Sequence, residues 1–157
     1  MSGLKFDKRE LGNLEYSLDR EILATDRRGG YMSSTIVGCN TRKYHGLMVA
    51  PIDNSDRTYV LLSSLDETLM QHDQAFHLAL HRYDGIYEPR GHKYITDFEY
   101  TPCPTITYRV GGVILRKEIL WIHKRTQMMI RYTLVDAHSE TTLRLRPFLA
   151  FRNKHEL

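Results

Sequence analysis

The chain has 157 residues, enough for one folded domain that buries about two-thirds of its unfolded surface. Its 41% hydrophobic and 26% charged residues are ordinary for a soluble globular protein, and no apolar run approaches the roughly 20 residues a membrane helix needs. The net charge of +3 is interspersed, with basic clusters limited to pairs such as Arg27-Arg28 and Arg42-Lys43, so the concentrated stripe of a nucleic-acid binder is missing.

In chain order, residues 1–20 are polar with scattered leucines. Leu4 or Phe6 can open an edge strand, Leu11, Leu14 and Leu18 have a weak helical spacing, and a short strand or loop is expected. Residues 21–25 read as a strand. Gly29-Gly30 then precede the β-branched run Thr35-Ile36-Val37, read as the next strand, and Gly38 ends it. The hexapeptide Asn40-Thr41-Arg42-Lys43-Tyr44-His45 has no apolar periodicity. It is either a functional loop, since plain chain reversal does not need those side chains together, or a solvated turn with His45 capping a strand. Residues 47–50 resume as strand, 51–56 form a turn cluster, and 57–62 are strand again, continuing or bending through Leu69.

Residues 70–75 read as loop and 76–81 as a short strand. Asp84-Gly85 signals a turn, and Pro89 and Gly91 punctuate the segment that follows. In 94–100, alternation puts Tyr94, Thr96, Phe98 and Tyr100 on one face. Gly111-Gly112 between two β-rich runs predicts a tight hairpin with a primed turn. Its second strand has mixed faces, Val113, Leu115, Lys117, Ile119 and Trp121 against the rest, which suggests a bulge or a shift of face. Strands over 127–135 and 141–149 follow, the latter with Leu143, Leu145 and Leu149 inward and Arg144 and Arg146 outward. Strands in series with short turns and little helix predict an all-β fold, an antiparallel β sandwich, over residues 1–157.

Several segments in the same order carry a resemblance. They are Gly29-Gly30-Tyr31, the Ser34-to-Gly38 stretch, Thr41-Arg42-Lys43-Tyr44-His45-Gly46-Leu47, Glu67-Thr68-Leu69, Tyr87-Glu88-Pro89-Arg90-Gly91, and the ending from Arg146-Pro147 to His155. Together they resemble the N-terminal domain of bacterial and archaeal glycogen debranching enzymes. One departure stands out: Asp26-Arg27-Arg28 occupies the place of that family's N-G-x, so a role needing a glycine turn or an asparagine amide is not carried over. The resemblance implies a supersandwich-like domain of an α-1,6-glucosidase whose catalytic helical barrel lies C-terminal to it. The expected partners are that barrel and glycogen or a branched malto-oligosaccharide, with no nucleic acid and no membrane. No cofactor is expected.

Asn40, Arg42, Tyr44 and His45 on one loop, with Tyr87 and Arg90 on another, are the candidate residues for glucan or interdomain contact. Arginine offers a fork of donors to vicinal hydroxyls, and tyrosine a face and a hydroxyl. No catalytic residue is expected in this segment. Asp66 and Glu67 are adjacent and point to opposite faces of a strand, and Asp97 and Glu99 share a face that reads as solvated. His72, His77 and His81 lack the companions of a zinc pattern, and no metal site is expected. Trp121 reads as core, with a sugar platform as the alternative. Cys39 and Cys103 show no C-x-x-C spacing. Without a visible signal peptide the expectation is reduced thiols in the cytoplasm.

Overall fold

The computed structural model describes residues 3–52 and 57–156. Its elements in order are β1 (Leu4–Asp7), α1 (Lys8–Gly12), α2 (Leu14–Leu18), β2 (Glu21–Thr25), β3 (Tyr31–Thr35), β4 (Gly46–Pro51), β5 (Thr58–Gln71) and β6 (Gln74–His77). There follow β7 (Leu80–Tyr83), β8 (Ile86–Arg90), a 3₁₀ turn (Gly91–Tyr94), β9 (Ile95–Tyr100), β10 (Pro104–Val110), β11 (Val113–Trp121), β12 (Met128–Ala137) and β13 (Thr142–Asn153). One antiparallel sheet has the order β1-β9-β10-β11-β12. The other has β13-β5-β4-β3-β2, with β6 also paired to β5. The two faces pack on a shared core of Met32, Ile36, Leu69, Ile95, Phe98, Leu115 and Ile119, so the fold is the expected all-β sandwich.

Local chemistry explains the turns. Gly111 and Gly112 adopt φ of 58° and 75°, as a primed hairpin turn requires, and pair Val110 with Val113. Asp84-Gly85 does the same with φ of 45° and 85°, pairing Tyr83 with Ile86. Residues 1–20 differ from expectation, because two short helices follow the edge strand β1. A capping box starts α1: Asp7 Oδ1 accepts from the backbone of Arg9 and Glu10, while Glu10 Oε2 accepts from Asp7 N at 2.9 Å. Asn13 caps α2, and Leu11 is fully buried. Five-residue helices are too short to show a periodicity and persist here through caps and packing.

Four further corrections follow. The strand expected at 35–37 lies earlier, over Tyr31–Thr35. Ile36 and Val37 are buried within a turn closed by Gly38 N to Thr35 O (2.9 Å) and by the Thr35 hydroxyl, which bonds both Cys39 N and Cys39 O. Burial, not extended pairing, is what that apolar run encodes. In β9 the buried residues are Ile95 and Phe98, because the pairing with β10 skips Thr96. The loop expected over 70–75 is only a turn at 72–73, since β5 runs to Gln71 and β6 pairs back on it. In β13, Leu145 and Leu149 are 44% and 80% exposed rather than inward. Leu143, at the start of β13, still packs against the core, so the inward face is lost along the strand rather than throughout it. The turn cluster at 51–56 falls largely outside the described residues.

The mixed faces of β11 resolve without a shift. Val113, Leu115, Lys117 and Ile119 all point inward, and the irregularity falls in β12, where Val135 is skipped. Lys117 is 7% exposed and meets Glu67, 3% exposed, from β5 of the other sheet. Tyr132 donates to the same Glu67 oxygen at 2.5 Å. Burial and the Glu67 charge push the phenols of Tyr132 and Tyr108 upward, so both stay protonated. Removing one member of such a pair strands a buried charge. Lys117→Met is therefore expected to cost about 3–5 kcal/mol in urea unfolding, and Lys117→Met combined with Glu67→Gln to recover more than half of it.

The turn over residues 26–28, where the resemblance departs, has a glycine-like geometry. Asp26 is fully buried, and its Oδ1 accepts from Arg28 N (2.6 Å) and Gly30 N (3.0 Å). Arg27 holds φ of 63°, the left-handed region that favours glycine. Arg27→Gly is expected to raise stability by about 1 kcal/mol, read as a higher denaturation midpoint.

Candidate functional site

The hexapeptide between β3 and β4 divides into residues that hold the loop and residues that face outward. Asn40 holds it: its Oδ1 accepts from Ser34 Oγ (2.9 Å), and its Nδ2 donates to Ser63 O on β5 (2.8 Å). His45 also holds it, at 3% exposure. Its Nδ1 accepts from Thr41 N (3.0 Å), and its Nε2 stands 3.6 Å from Glu21 Oε1. Arg42 is the outward residue, with its Nε bonded to that same Glu21 oxygen. The Arg42 guanidinium beside it holds the Glu21 carboxyl below the usual carboxylate value.

Tyr44 turns elsewhere. Its ring meets His155 edge-on at 5.8 Å and carries the Lys43 ammonium at 5.1 Å, while Arg152 Nη2 donates to Lys43 O. Tyr44 thus faces the end of β13. Arg90 is exposed at the end of β8, where the 3₁₀ turn begins.

Arg42 and Tyr87, from loops distant in sequence, line one open cleft of about 530 Å³. Thr41 and Arg82 complete that side, and Leu14, Glu15, Leu18 and Asp19 of α2 and its cap form the facing wall. Asn40, Tyr44, His45 and Arg90 do not line it. Glu15, Asp19 and Arg82 are thus cleft residues that the sequence reading left out. A signal for Arg82 existed: a two-residue turn at Asp84-Gly85 sets Arg82 opposite Tyr87, and the two are paired in register. Glu15 and Asp19 are spaced i, i+4 along a helix that the sequence pattern left unpredicted.

The cleft gathers two carboxylates, two guanidiniums, a hydroxyl, a tyrosine and two leucines. That is a set of acceptors, donor forks and apolar faces suited to a polyhydroxylated ligand. Both carboxylates come from one segment, α2 and its cap, four residues apart. Elsewhere, Asp66 and Glu67 do point to opposite faces. Asp66 bonds His81 Nε2 at 2.8 Å, while Glu67 lies in the core. Glu99 pairs with Lys5 at 2.8 Å, and Trp121 packs against the core. Among the described residues no group of three or more His, Cys, Asp or Glu is placed to hold a metal ion, and no helix is long and apolar enough to cross a membrane.

Fold and cleft together define a two-sheet antiparallel sandwich with a polar-aromatic groove on one flank. The chain belongs to the glycogen debranching enzyme N-terminal family, whose model matches residues 20–157. No curated protein and no solved structure matches the chain. Arg42, Arg82 and Tyr87 fall inside the matched stretch, whereas the α2 wall precedes it.

Burial lowers the pKa of His45 below the ordinary 6.5 against the pull of Glu21, and burial lowers that of His92 in the same direction. As pH falls below 6.5, the unfolded chain binds protons that the folded chain refuses. Stability is therefore full above that value and declines as pH drops through the lower folded values. Urea midpoints are expected to fall between about pH 7.5 and pH 5, and less steeply in a His45→Gln, His92→Gln variant.

Proposed function

We propose that this chain is the non-catalytic N-terminal domain of a glycogen-debranching α-1,6-glucosidase, packing on a helical catalytic domain of the same polypeptide and helping to hold branched glucan. Family membership supports the first part. The observation that carries the second is the convergence of Arg42 and Tyr87 on one cleft with Arg82, Glu15 and Asp19. Guanidinium forks and carboxylates suit the paired hydroxyls of glucose units, and the tyrosine offers a face for a sugar ring. Asn40 and His45 serve this site by holding Arg42 in place rather than by touching sugar.

A second role, docking on protein, draws on different residues. Leu134, Leu149 and Phe151 on β12 and β13 are 53%, 80% and 76% exposed, an apolar flank suited to a neighbouring domain. Tyr44, turned toward β13, belongs with that flank. Cys39 and Cys103 are buried free thiols, consistent with work in a reducing compartment such as the cytoplasm.

Calorimetric titration with a branched malto-oligosaccharide tests the glucan role. Arg42→Ala and Tyr87→Ala are each expected to weaken binding by about tenfold or more, while Tyr44→Ala leaves it unchanged. A well-folded wild-type chain that binds no oligosaccharide would leave docking as the domain's role.

A further inference from the structure

At one corner of the sandwich the β2–β3 turn meets the β11–β12 turn. Lys124 N donates to Asp26 O at 3.2 Å, and Arg28 Nη1 donates to Lys124 O at 3.1 Å. These contacts bring Arg27, Arg28, Lys124 and Arg125 together from two pairs almost a hundred residues apart, and all four are exposed. None of them forms an ion pair with a carboxylate among the described residues. The acid at the corner, Asp26, is buried, and its Oδ1 is bonded to backbone N–H groups.

Two of the four cations sit where an L-residue is disfavoured. Arg27 has φ of 63° and Lys124 φ of 60°, two of the four non-glycine residues at positive φ among the described residues, the others being His72 and Asp84 in hairpin turns. Strain of this kind clusters where a side chain has a task. The backbone N–H groups of the corner are engaged internally, as Arg27 N bonds Thr25 Oγ1 and Arg125 N bonds Ile122 O, so side chains alone face outward. In sequence the two pairs are followed by Gly29 and by Thr126 and Gln127, none of them an apolar anchor of the kind a protein interface is built around.

We propose that this corner binds a phosphate-bearing ligand. Arginine forks match phosphate oxygens in pairs, and lysine adds a compact charge. The four side chains bring neither the carboxylates nor the aromatic face that the cleft of Arg42 and Tyr87 has, so charge rather than hydroxyl pairing selects the ligand here and the two sites are separate. The phosphate can come from a free sugar phosphate or from a phosphate ester carried on a glucan. The latter source rests on the glucan reading of the protein, whereas the site itself does not.

The test is titration of the full ¹⁵N-labelled chain at fixed ionic strength with glucose 6-phosphate, a phosphorylated malto-oligosaccharide and the neutral malto-oligosaccharide. Both phosphate probes are expected to shift the amides of residues 27–30 and 123–127 saturably, while the neutral sugar leaves them in place. Arg27→Gly combined with Lys124→Gly is expected to weaken phosphate binding at least tenfold without lowering the melting temperature, since glycine suits both backbones. Tighter binding of the polymer probe identifies the esterified glucan, and equal binding the free sugar phosphate. Overturning results are shifts that chloride reproduces, retention of binding in the double variant, or an acidic peptide that binds more tightly than either phosphate probe.

Discussion

The Lys117–Glu67 contact between the two sheets is the constraint on which the rest of the sandwich depends. Lys117 comes from β11, Glu67 from β5, and Tyr132 of β12 reaches the same carboxylate. A buried ion pair adds little net stability over an apolar core of the same shape, but it makes misalignment expensive. Sliding either strand by one residue would turn a charge outward on one side and leave its partner buried alone. The pair therefore sets β11 and β12 across β5; on the outer strand β13, Leu143 still packs on the core while Leu149 and Phe151 are exposed.

The same logic operates at the loop before β4. Asn40 and His45 are polar residues whose hydrogen bonds are made within the fold: one ties the loop to β5, the other closes it on Thr41. Burial keeps His45 neutral, so its Nδ1 stays an acceptor. Glu21 then stands between His45 and Arg42 and fixes the guanidinium at the cleft. An exposed long side chain has many rotamers, and anchoring one end removes part of the entropy that binding would otherwise cost. Of the residues around Arg42, His45 is buried, whereas Glu21 shares the surface with it.

The cleft itself joins parts of different standing. Arg42, Arg82 and Tyr87 belong to the stretch that defines the family, while Glu15 and Asp19 come from a helix ahead of it. A site with one wall inside the family match and one outside it can keep a common ligand class and vary in what it prefers. The basic corner at Asp26 to Gly30 has a similar character. There Arg27 holds the left-handed geometry that favours glycine.

Much of the fold was legible from local rules. Gly111-Gly112 specifies a tight hairpin because few residues tolerate a positive φ, and the runs around it can then only pair as antiparallel strands; Asp84-Gly85 reads as a turn for the same reason, while the strand after it does not show in the sequence. The family membership was legible as well, in motifs whose order survives along the chain. Partnership was not legible. The sequence shows Lys117 as a charge on an apolar face, but only the packing of two sheets supplies Glu67, because the two residues are 50 positions apart. Two of the six candidate site residues line the cleft and four do not, since the loop motif names polar side chains without saying which are needed to hold the loop. Glu15 and Asp19 were hidden because two five-residue helices are held by caps and by Leu11 in the core, not by a periodic pattern. Backbone preference acts over a few neighbours and so is written locally, whereas burial, charge pairing and the shape of a cleft arise only where distant segments meet.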